Sequence, residues 1–179
     1  MKKLLINALS SAMSFIAVIG TIVFIASPSY AIEETFAGYS KNTFPETYCM
    51  ALNIYYEARG SSMADQVSVS DVVLNRVRDD RYPDTVCEVV KQGYQDENGN
   101  MIRNKCQFSW YCDGKSDIPL DQDAWIAAQT LAWRIMKFEE FRGITEGATH
   151  YHAYYVNPQW ARDMTFIGTV GVHKFYRWD

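Results

Sequence analysis

The chain has 179 residues, a formal net charge of −4 and a sequence pI near 5.4. This acidic balance argues against a nucleic-acid partner, which requires a basic face. Aromatic residues make up 15% of the chain, with 12 Tyr and 5 Trp. Such a content suits a hydrophobic core, and it also suits a groove in which sugar faces pack on aromatic rings.

The first 31 residues have the features of a secretory signal peptide. Met1-Lys2-Lys3 is basic, residues 4–26 are apolar, and Ser29-Tyr30-Ala31 places small residues at the positions that cleavage requires. We therefore expect an exported protein, periplasmic or extracellular, with no stable membrane insertion once the peptide is cleaved. An uncleaved membrane anchor is the alternative, because the apolar stretch is nearly long enough to span a bilayer.

Export changes the interpretation of the cysteines. An even number of cysteines in an oxidising compartment predicts two disulfides rather than a zinc site, and no Cys-x-x-Cys pair occurs. The sequence does not choose among the three connectivities. Our hypothesis joins Cys87 to Cys106, which would close a long polar loop, and Cys49 to Cys112.

The first predicted helix carries an acidic residue in its last turn. Residues 32–44 are polar and without periodicity, which predicts a flexible leader, whereas residues 49–56 are apolar and predict a helix that Gly60 ends. Glu57 then lies where the partial negative charge of the helix C-terminus opposes ionisation. We expect a raised pKa suited to a general acid. A surface ion pair with Arg59 is the plainer alternative.

Three further helices are predicted from capping residues and apolar spacing. Ser62 is a candidate N-cap, with Asp65 completing a capping pattern. Gly143 is expected to close the last and longest helix. The three predicted spans are residues 62–78, 86–91 and 121–141.

The rest of the chain predicts a hairpin, a loop and two strands. Residues 93–105 contain a turn signal at Asn98-Gly99, and residues 106–114 form an aromatic surface loop bounded by cysteines. Two aromatic, β-forming segments, residues 148–156 and 170–178, predict strands. The pattern as a whole predicts a single α+β domain, mostly helical, with a small β element near the C-terminus.

A histidine cluster competes with Glu57 for the chemistry. His150 and His152 are expected on one face of a strand and, with His173, give a three-histidine metal site as an alternative. Histidines packed in an aromatic strand are the plainer explanation, since no His-Glu-x-x-His pattern supports a metal. We expect no cofactor and no metal. A cysteine nucleophile is disfavoured because the thiols are expected to be paired.

A second carboxylate for two-carboxylate hydrolysis does not stand out in the sequence. Asp65 is explained as a cap residue, Asp71 as part of a solvated helix face and Asp113 as a turn former. Asp117 is the remaining candidate.

Five blocks of sequence follow one another between residues 45 and 178. They are residues 51–60 (ALNIYYEARG), 72–77 (VVLNRV), 82–87 (YPDTVC), 106–110 (CQFSW) and 171–176 (GVHKFY). In this order the blocks resemble the SleB/CwlJ family of cell-wall hydrolases. The resemblance implies that residues 45–179 form the catalytic domain. Ser61 stands where typical members have a second glutamate.

The resemblance implies a lysozyme-like fold, related to the lytic transglycosylases, that acts on the glycan strands of peptidoglycan. It also implies that Glu57 is the acid/base that cleaves between N-acetylmuramic acid and N-acetylglucosamine. The glutamate would protonate the glycosidic oxygen and then take the proton of the muramic 6-hydroxyl, which attacks within the same sugar. A 1,6-anhydro product formed in this way requires no second carboxylate.

Other residues receive lesser roles. Gln107, Ser109 and Tyr151 are expected to line the glycan groove, and Phe108 and Trp110 to pack on sugar faces, with core filling as the alternative for these two aromatics. Asn75 and Arg76 lie within a helix and are interpreted mainly as structural.

Two functions other than a glycosidase remain open from the sequence. An N-acetylmuramoyl-L-alanine amidase would require a metal at His150, His152 and His173, whereas a wall-binding module would keep the fold without catalysis. Within the glycosidase interpretation, hydrolysis is the alternative outcome to transglycosylation. We expect a monomer whose partner is the peptidoglycan glycan strand.

Overall fold

The computed structural model of the chain describes residues 40–179, so the predicted signal peptide and most of the leader lie outside the described residues. This part of the chain has the predicted α+β architecture, with more helix than strand. The helices are α1 Pro45–Ala58, α2 Met63–Val77, α3 Val86–Val90 and α4 Gln122–Phe138. The strands are β1 Gly93–Gln95, β2 Met101–Cys106, β3 His150–Ala153, β4 Thr165–Val170 and β5 His173–Arg177. Two short 3-10 helices cover Ser109–Cys112 and Gln159–Asp163.

Helix α1 is the central element of the core. Pro45 begins it, because the fixed φ of proline suits the first helical position and its missing N–H is not needed there. Met50, Ile54 and Tyr55 are fully buried between α1 and its neighbours α2, α3 and α4. Gly60, at φ +82°, turns the chain after the helix, as predicted.

A smaller core cluster ties the C-terminal end of α1 to α2 and to the late sheet. Ala58 on α1 packs with Val69 and Val72 on α2, and with Ala148 and Phe175 at the sheet. Burial of these apolar side chains fixes the last turn of α1 against β5. The residue before Ala58, Glu57, is therefore held at the junction of α1 and the sheet.

The N-cap of α2 agrees with the sequence, but the end of α4 does not. Ser62 Oγ accepts a hydrogen bond of 3.3 Å from the backbone N–H of Asp65, which caps α2. Helix α4 ends at Phe138 rather than near Gly143, because Glu139 takes a left-handed conformation at φ 53°. A non-glycine residue in this conformation has no clear sequence signal.

The late sheet has three strands, not the two predicted. The strand order is β3-β5-β4, and both pairings are antiparallel. Strand β4 was missed because it is a largely exposed edge strand, with an irregularity between Phe166 and Gly168 that breaks its alternation. The predicted hairpin is present as β1 and β2, with Gly99 at φ +80° in its turn.

The predicted disulfide pairing is wrong. The bonds join Cys49 to Cys87 and Cys106 to Cys112, with Cα–Cα distances of 5.2 and 6.0 Å. The first bond follows from the packing of α1 against α3. The second closes the turn between the end of β2 and the following 3-10 helix, whose Trp110 and Cys112 are buried rather than on a surface loop.

Asp71 does not lie on a solvated helix face. Its side chain is buried and accepts hydrogen bonds from the backbone N–H groups of Gly143, at 3.1 Å, and Thr145, at 3.0 Å. The Thr145 hydroxyl donates at 2.7 Å, and Arg142 completes an ion pair. The carboxylate thus fastens the segment before β3 onto α2.

Candidate active site

A cleft with a volume of about 350 Å³ opens where the C-terminal end of α1 meets the late sheet. Its walls come from α1, α2, the loop after β2, β3 and β5. The lining residues are Glu57, Arg76, Gln107, Phe108, Ser109, Tyr151, His152, Ala153, Tyr155 and His173.

Glu57 is the one acidic residue that lines this cleft within residues 40–179. The Tyr151 hydroxyl donates a hydrogen bond of 3.1 Å to its Oε2 atom. Burial raises the pKa of Glu57, while the Tyr151 hydrogen bond and the charges of His173 and Arg76 oppose the rise without cancelling it. A carboxyl group in this environment keeps its proton to a higher pH than an exposed glutamate does. The predicted raised pKa is therefore present, with burial as its largest cause.

Arg76, interpreted from sequence as mainly structural, has both a structural bond and a place in the cleft. Its Nε donates to the Thr149 carbonyl at 2.7 Å, and its guanidinium lies 5.2 Å from the centre of the Phe108 ring. The side chain is only 4% exposed, and burial lowers its pKa. Because an arginine stays charged in proteins, a buried positive charge stands close to Glu57.

Asp65 and His173 form a buried pair beside the cleft. Asp65 Oδ1 lies 2.8 Å from His173 Nδ1, and Asp65 Oδ2 accepts a 3.3 Å hydrogen bond from the Val172 N–H. Burial alone would raise the pKa of Asp65, but the hydrogen bond and charge of His173, with smaller help from Val172 and Ser61, lower it. Asp65 is therefore more than a cap residue.

The three histidines do not form the metal site that was the alternative to Glu57. Because side chains alternate across a strand, His150 and His152 face one side of the sheet and Tyr151 faces the other, where it packs against His173 at a ring distance of 5.0 Å. His150 packs on Trp160 instead, and burial lowers its pKa to about 4. Among residues 40–179, no three His, Cys, Asp or Glu side chains are grouped to hold a metal ion.

The sequence-predicted groove residues divide between the cleft and the core. Gln107 and Ser109 are exposed at the cleft, whereas Phe108 is 2% exposed and forms part of its floor. Trp110 lies outside the cleft. It stacks on Tyr56 at 4.8 Å and donates from Nε1 to Asn53 at 3.3 Å.

Arg76, His152, Tyr155 and His173 were not predicted to share a cleft with Glu57. Two of them lie within motif blocks, Arg76 in residues 72–77 and His173 in residues 171–176. Membership in these blocks is the sequence signal that could have identified Arg76 and His173 as residues of the site. Arg59, the alternative ion-pair partner of Glu57, instead contacts the Tyr55 hydroxyl and stacks on its ring.

A helix long and apolar enough to cross a membrane does not occur within the described part of the chain.

The sequence profile of the cell wall hydrolase family matches residues 60–176. This match, together with the fold, places the protein among the enzymes that degrade peptidoglycan. The chain belongs to the cell wall hydrolase family, of the SleB/CwlJ type. The matched segment begins at Gly60, so Glu57 lies just before it, whereas the other residues that line the cleft lie within it.

Two solved structures are similar to the chain over most of their length. One is the catalytic domain of the germination-specific lytic transglycosylase SleB from Bacillus anthracis, at 26% identity and a TM-score of 0.54, covering 78% of this chain and 98% of that one. The other is the catalytic domain of the Bacillus cereus SleB protein, at 25% identity and a TM-score of 0.53, covering 78% and 93%. A comparison with curated proteins finds no match.

Proposed function

We propose that the protein is a lytic transglycosylase that cleaves peptidoglycan glycan strands between N-acetylmuramic acid and N-acetylglucosamine. Residues 45–179 form its catalytic domain, and Glu57 is its general acid. The observation that carries the proposal is a single carboxyl group of raised pKa in an open cleft, hydrogen-bonded by Tyr151. The similarity to a SleB protein described as a lytic transglycosylase supports the same reaction type.

In the proposed reaction, Glu57 begins protonated and donates its proton to the glycosidic oxygen as the bond to muramic C1 breaks. The muramic 6-hydroxyl then attacks C1 from within the same sugar and forms a 1,6-anhydro ring. The hydroxyl proton passes to a basic group in the cleft, and the family resemblance implies that this group is the carboxylate left on Glu57. The attacking group belongs to the substrate, so no activated water takes part.

The arrangement of acidic groups favours this mechanism over two-carboxylate hydrolysis. An inverting or retaining hydrolase places a second carboxylate across the scissile bond. Asp65 is fully buried and hydrogen-bonded to His173, and Asp71 is occupied by Arg142 and Thr145. Asp113 and Asp117 do not line the cleft. Within the described residues, Glu57 therefore acts without a second carboxylate.

Exposed Gln107 and Ser109 supply hydrogen-bonding groups to the glycan at the mouth of the cleft.

We further propose that the protein is exported by cleavage after Ala31 and acts as a monomer outside the cytoplasm. N-terminal sequencing of the exported protein should then begin at Ile32, whereas a sequence beginning at Met1 would indicate a retained anchor.

Mass spectrometry of the fragments released from purified peptidoglycan tests the reaction type. We expect 1,6-anhydromuramic ends, in equal amounts with and without a metal chelator. Reducing muramic ends would show hydrolysis instead. Freed stem peptides that disappear with chelator would show a metal-dependent amidase, and binding to the wall without any fragments would show a non-catalytic module.

A further inference from the structure

His173 lines the same cleft as Glu57. Its Nδ1 atom is bonded to Asp65, and its Nε2 atom has no hydrogen-bond partner among residues 40–179. The ring packs edge-on against Tyr151, the residue that hydrogen-bonds Glu57. An imidazole is thus fixed in the same cleft as the Glu57 carboxyl group, and its charge opposes the rise in the pKa of that group.

The other histidine at the cleft has no free nitrogen. His152 Nδ1 lies 2.9 Å from the Ala153 carbonyl, and its Nε2 lies 3.1 Å from the Tyr176 hydroxyl. Both ring nitrogens of His152 are therefore committed to the fold. His173 differs from His152 because only its Nδ1 atom is hydrogen-bonded within the described residues, which leaves Nε2 without a partner.

The anchor of His173 is built from the backbone as well as from Asp65. An ionised carboxylate can only accept hydrogen bonds, so Asp65 requires the proton of the imidazole to lie on Nδ1. In the neutral ring this leaves the lone pair on Nε2. Gly171, at φ +56°, makes room for the carboxylate, since a Cβ at that position would lie 2.6 Å from Asp65 Cγ and Oδ2.

We propose that His173, oriented by Asp65, is the general base that receives the proton of the attacking hydroxyl, so that Glu57 acts as the acid alone. This inference rests on the proposed transglycosylase function and divides its two proton transfers between two residues. An aspartate that fixes the tautomer of a catalytic imidazole is a known arrangement in other enzymes.

The protons donated and accepted balance when Glu57 is the acid and His173 is the base. Glu57 gives its proton to the leaving 4-hydroxyl of N-acetylglucosamine as the C1–O bond breaks. The 6-hydroxyl oxygen bonds to C1, and its proton moves to Nε2 of His173, which becomes an imidazolium paired with Asp65. Afterwards His173 releases one proton to solvent and Glu57 takes one up, so the cycle has no net proton change.

The charged and titratable groups around His173 come from each element packed on it. Asp65 on α2 is bonded to the ring, Tyr151 on β3 packs against it, and Glu57 on α1 and Arg76 on α2 line the same cleft. Activity requires Glu57 to be protonated, so it is lost as pH rises through the pKa of that carboxyl group. A base must have a free lone pair to take the hydroxyl proton, so the proposed role of His173 also requires a neutral imidazole and predicts a loss of activity in acid. Two separate groups predict a bell-shaped profile, whereas Glu57 acting alone predicts only the alkaline limb.

The test is the pH dependence of kcat/KM for release of anhydromuramic ends, measured on wild type, His173→Gln and Asp65→Asn. We expect an acid limb in the wild type that His173→Gln removes, together with a fall in rate of about 10² to 10⁴-fold at the optimum. Asp65→Asn keeps the size of the side chain beside His173 but removes its negative charge. The imidazolium form is then less stabilised, so the acid limb should move to lower pH. His152→Gln is the matched control and should leave the acid limb in place.

A wild-type profile without an acid limb overturns the role of His173, and so does an acid limb that survives in a folded His173→Gln variant. The proposed function stands in either case if anhydromuramic ends are still formed. Should His173→Gln fail to fold, the wild-type profile and the Asp65→Asn shift decide the matter. An unshifted acid limb in Asp65→Asn contradicts the proposal.

Discussion

The Tyr151 hydroxyl donates a 3.1 Å hydrogen bond to Oε2 of Glu57, joining two residues that are 94 positions apart in sequence. The bond links the middle of β3 to the last turn of α1. It stabilises the charged form of the carboxyl group and so opposes the effect of burial on the pKa. Tyr151 therefore helps to set the pH at which Glu57 loses its proton.

Replacing Tyr151 by Phe should raise the pKa of Glu57 further, because the hydrogen bond that favours the carboxylate is lost while burial remains. Activity that depends on protonated Glu57 should then persist to higher pH than in the wild type. The alkaline limb of the profile of kcat/KM against pH measures this shift. Tyr155→Phe, at an exposed tyrosine of the same cleft, is the control and should not move the limb. A limb that moves to lower pH in Tyr151→Phe would contradict the assignment.

Asp71→Ala should destabilise the fold severely. The change leaves Arg142, whose side chain is only 14% exposed, without its ion-pair partner, and it removes the acceptor of Gly143 and Thr145. Breaking a buried ion pair in this way costs about 3–5 kcal/mol. Denaturant unfolding monitored by circular dichroism measures the loss.

The control for Asp71→Ala is a surface ion pair in the same region. Glu139 and Arg78 pair at 3.4 Å with both side chains largely exposed. Glu139→Gln should therefore cost less than about 1 kcal/mol. Equal losses for the two variants would mean that the Asp71 network adds nothing beyond a surface pair.

The two disulfides should contribute unequally to stability. The bonded cysteines are separated by 38 and 6 positions in sequence, and the loop-entropy relation assigns about 4 kcal/mol to the first bond and about 2 kcal/mol to the second. Replacing Cys49 and Cys87 together by Ala should accordingly lower the unfolding free energy more than replacing Cys106 and Cys112. Equal losses would contradict this ranking.

Non-reducing tryptic mapping checks the pairing itself. Residues 106–115 form one tryptic peptide that contains both Cys106 and Cys112, so it should carry an internal bond. Peptides 42–59 and 82–91 should be linked to each other through Cys49 and Cys87. A link between residues 82–91 and 106–115 would instead restore the pairing first expected from sequence.

Local signals in the sequence predicted the local structure well. Ser62 caps α2 and Gly60 follows α1 because capping and left-handed turns depend on one or two residues. Strand β4 and the end of α4 at Glu139 escaped prediction, since the first depends on an edge position in the sheet and the second on an unusual backbone conformation.

The site was predictable only in part for a similar reason. The apolar helix around Glu57 indicated its burial, and burial is what raises its pKa. The contacts of Asp65 with His173 and of Glu57 with Tyr151 join residues about a hundred positions apart, so no local pattern reveals them. The bond between Cys49 and Cys87 likewise depends on the packing of α1 on α3.

One measurement tests the role of Glu57 most directly: the rate at which 1,6-anhydromuramic ends are released from purified peptidoglycan. The rate is compared among wild type, Glu57→Gln and Glu97→Gln. Glutamine keeps the size of the side chain but has no proton to donate, and Glu97 lies on the exposed hairpin turn. We predict that Glu57→Gln keeps the wild-type circular dichroism spectrum and loses about 10² to 10⁴-fold in rate, with Glu97→Gln unaffected. A folded Glu57→Gln variant that releases anhydromuramic ends at the wild-type rate would contradict a catalytic role for Glu57.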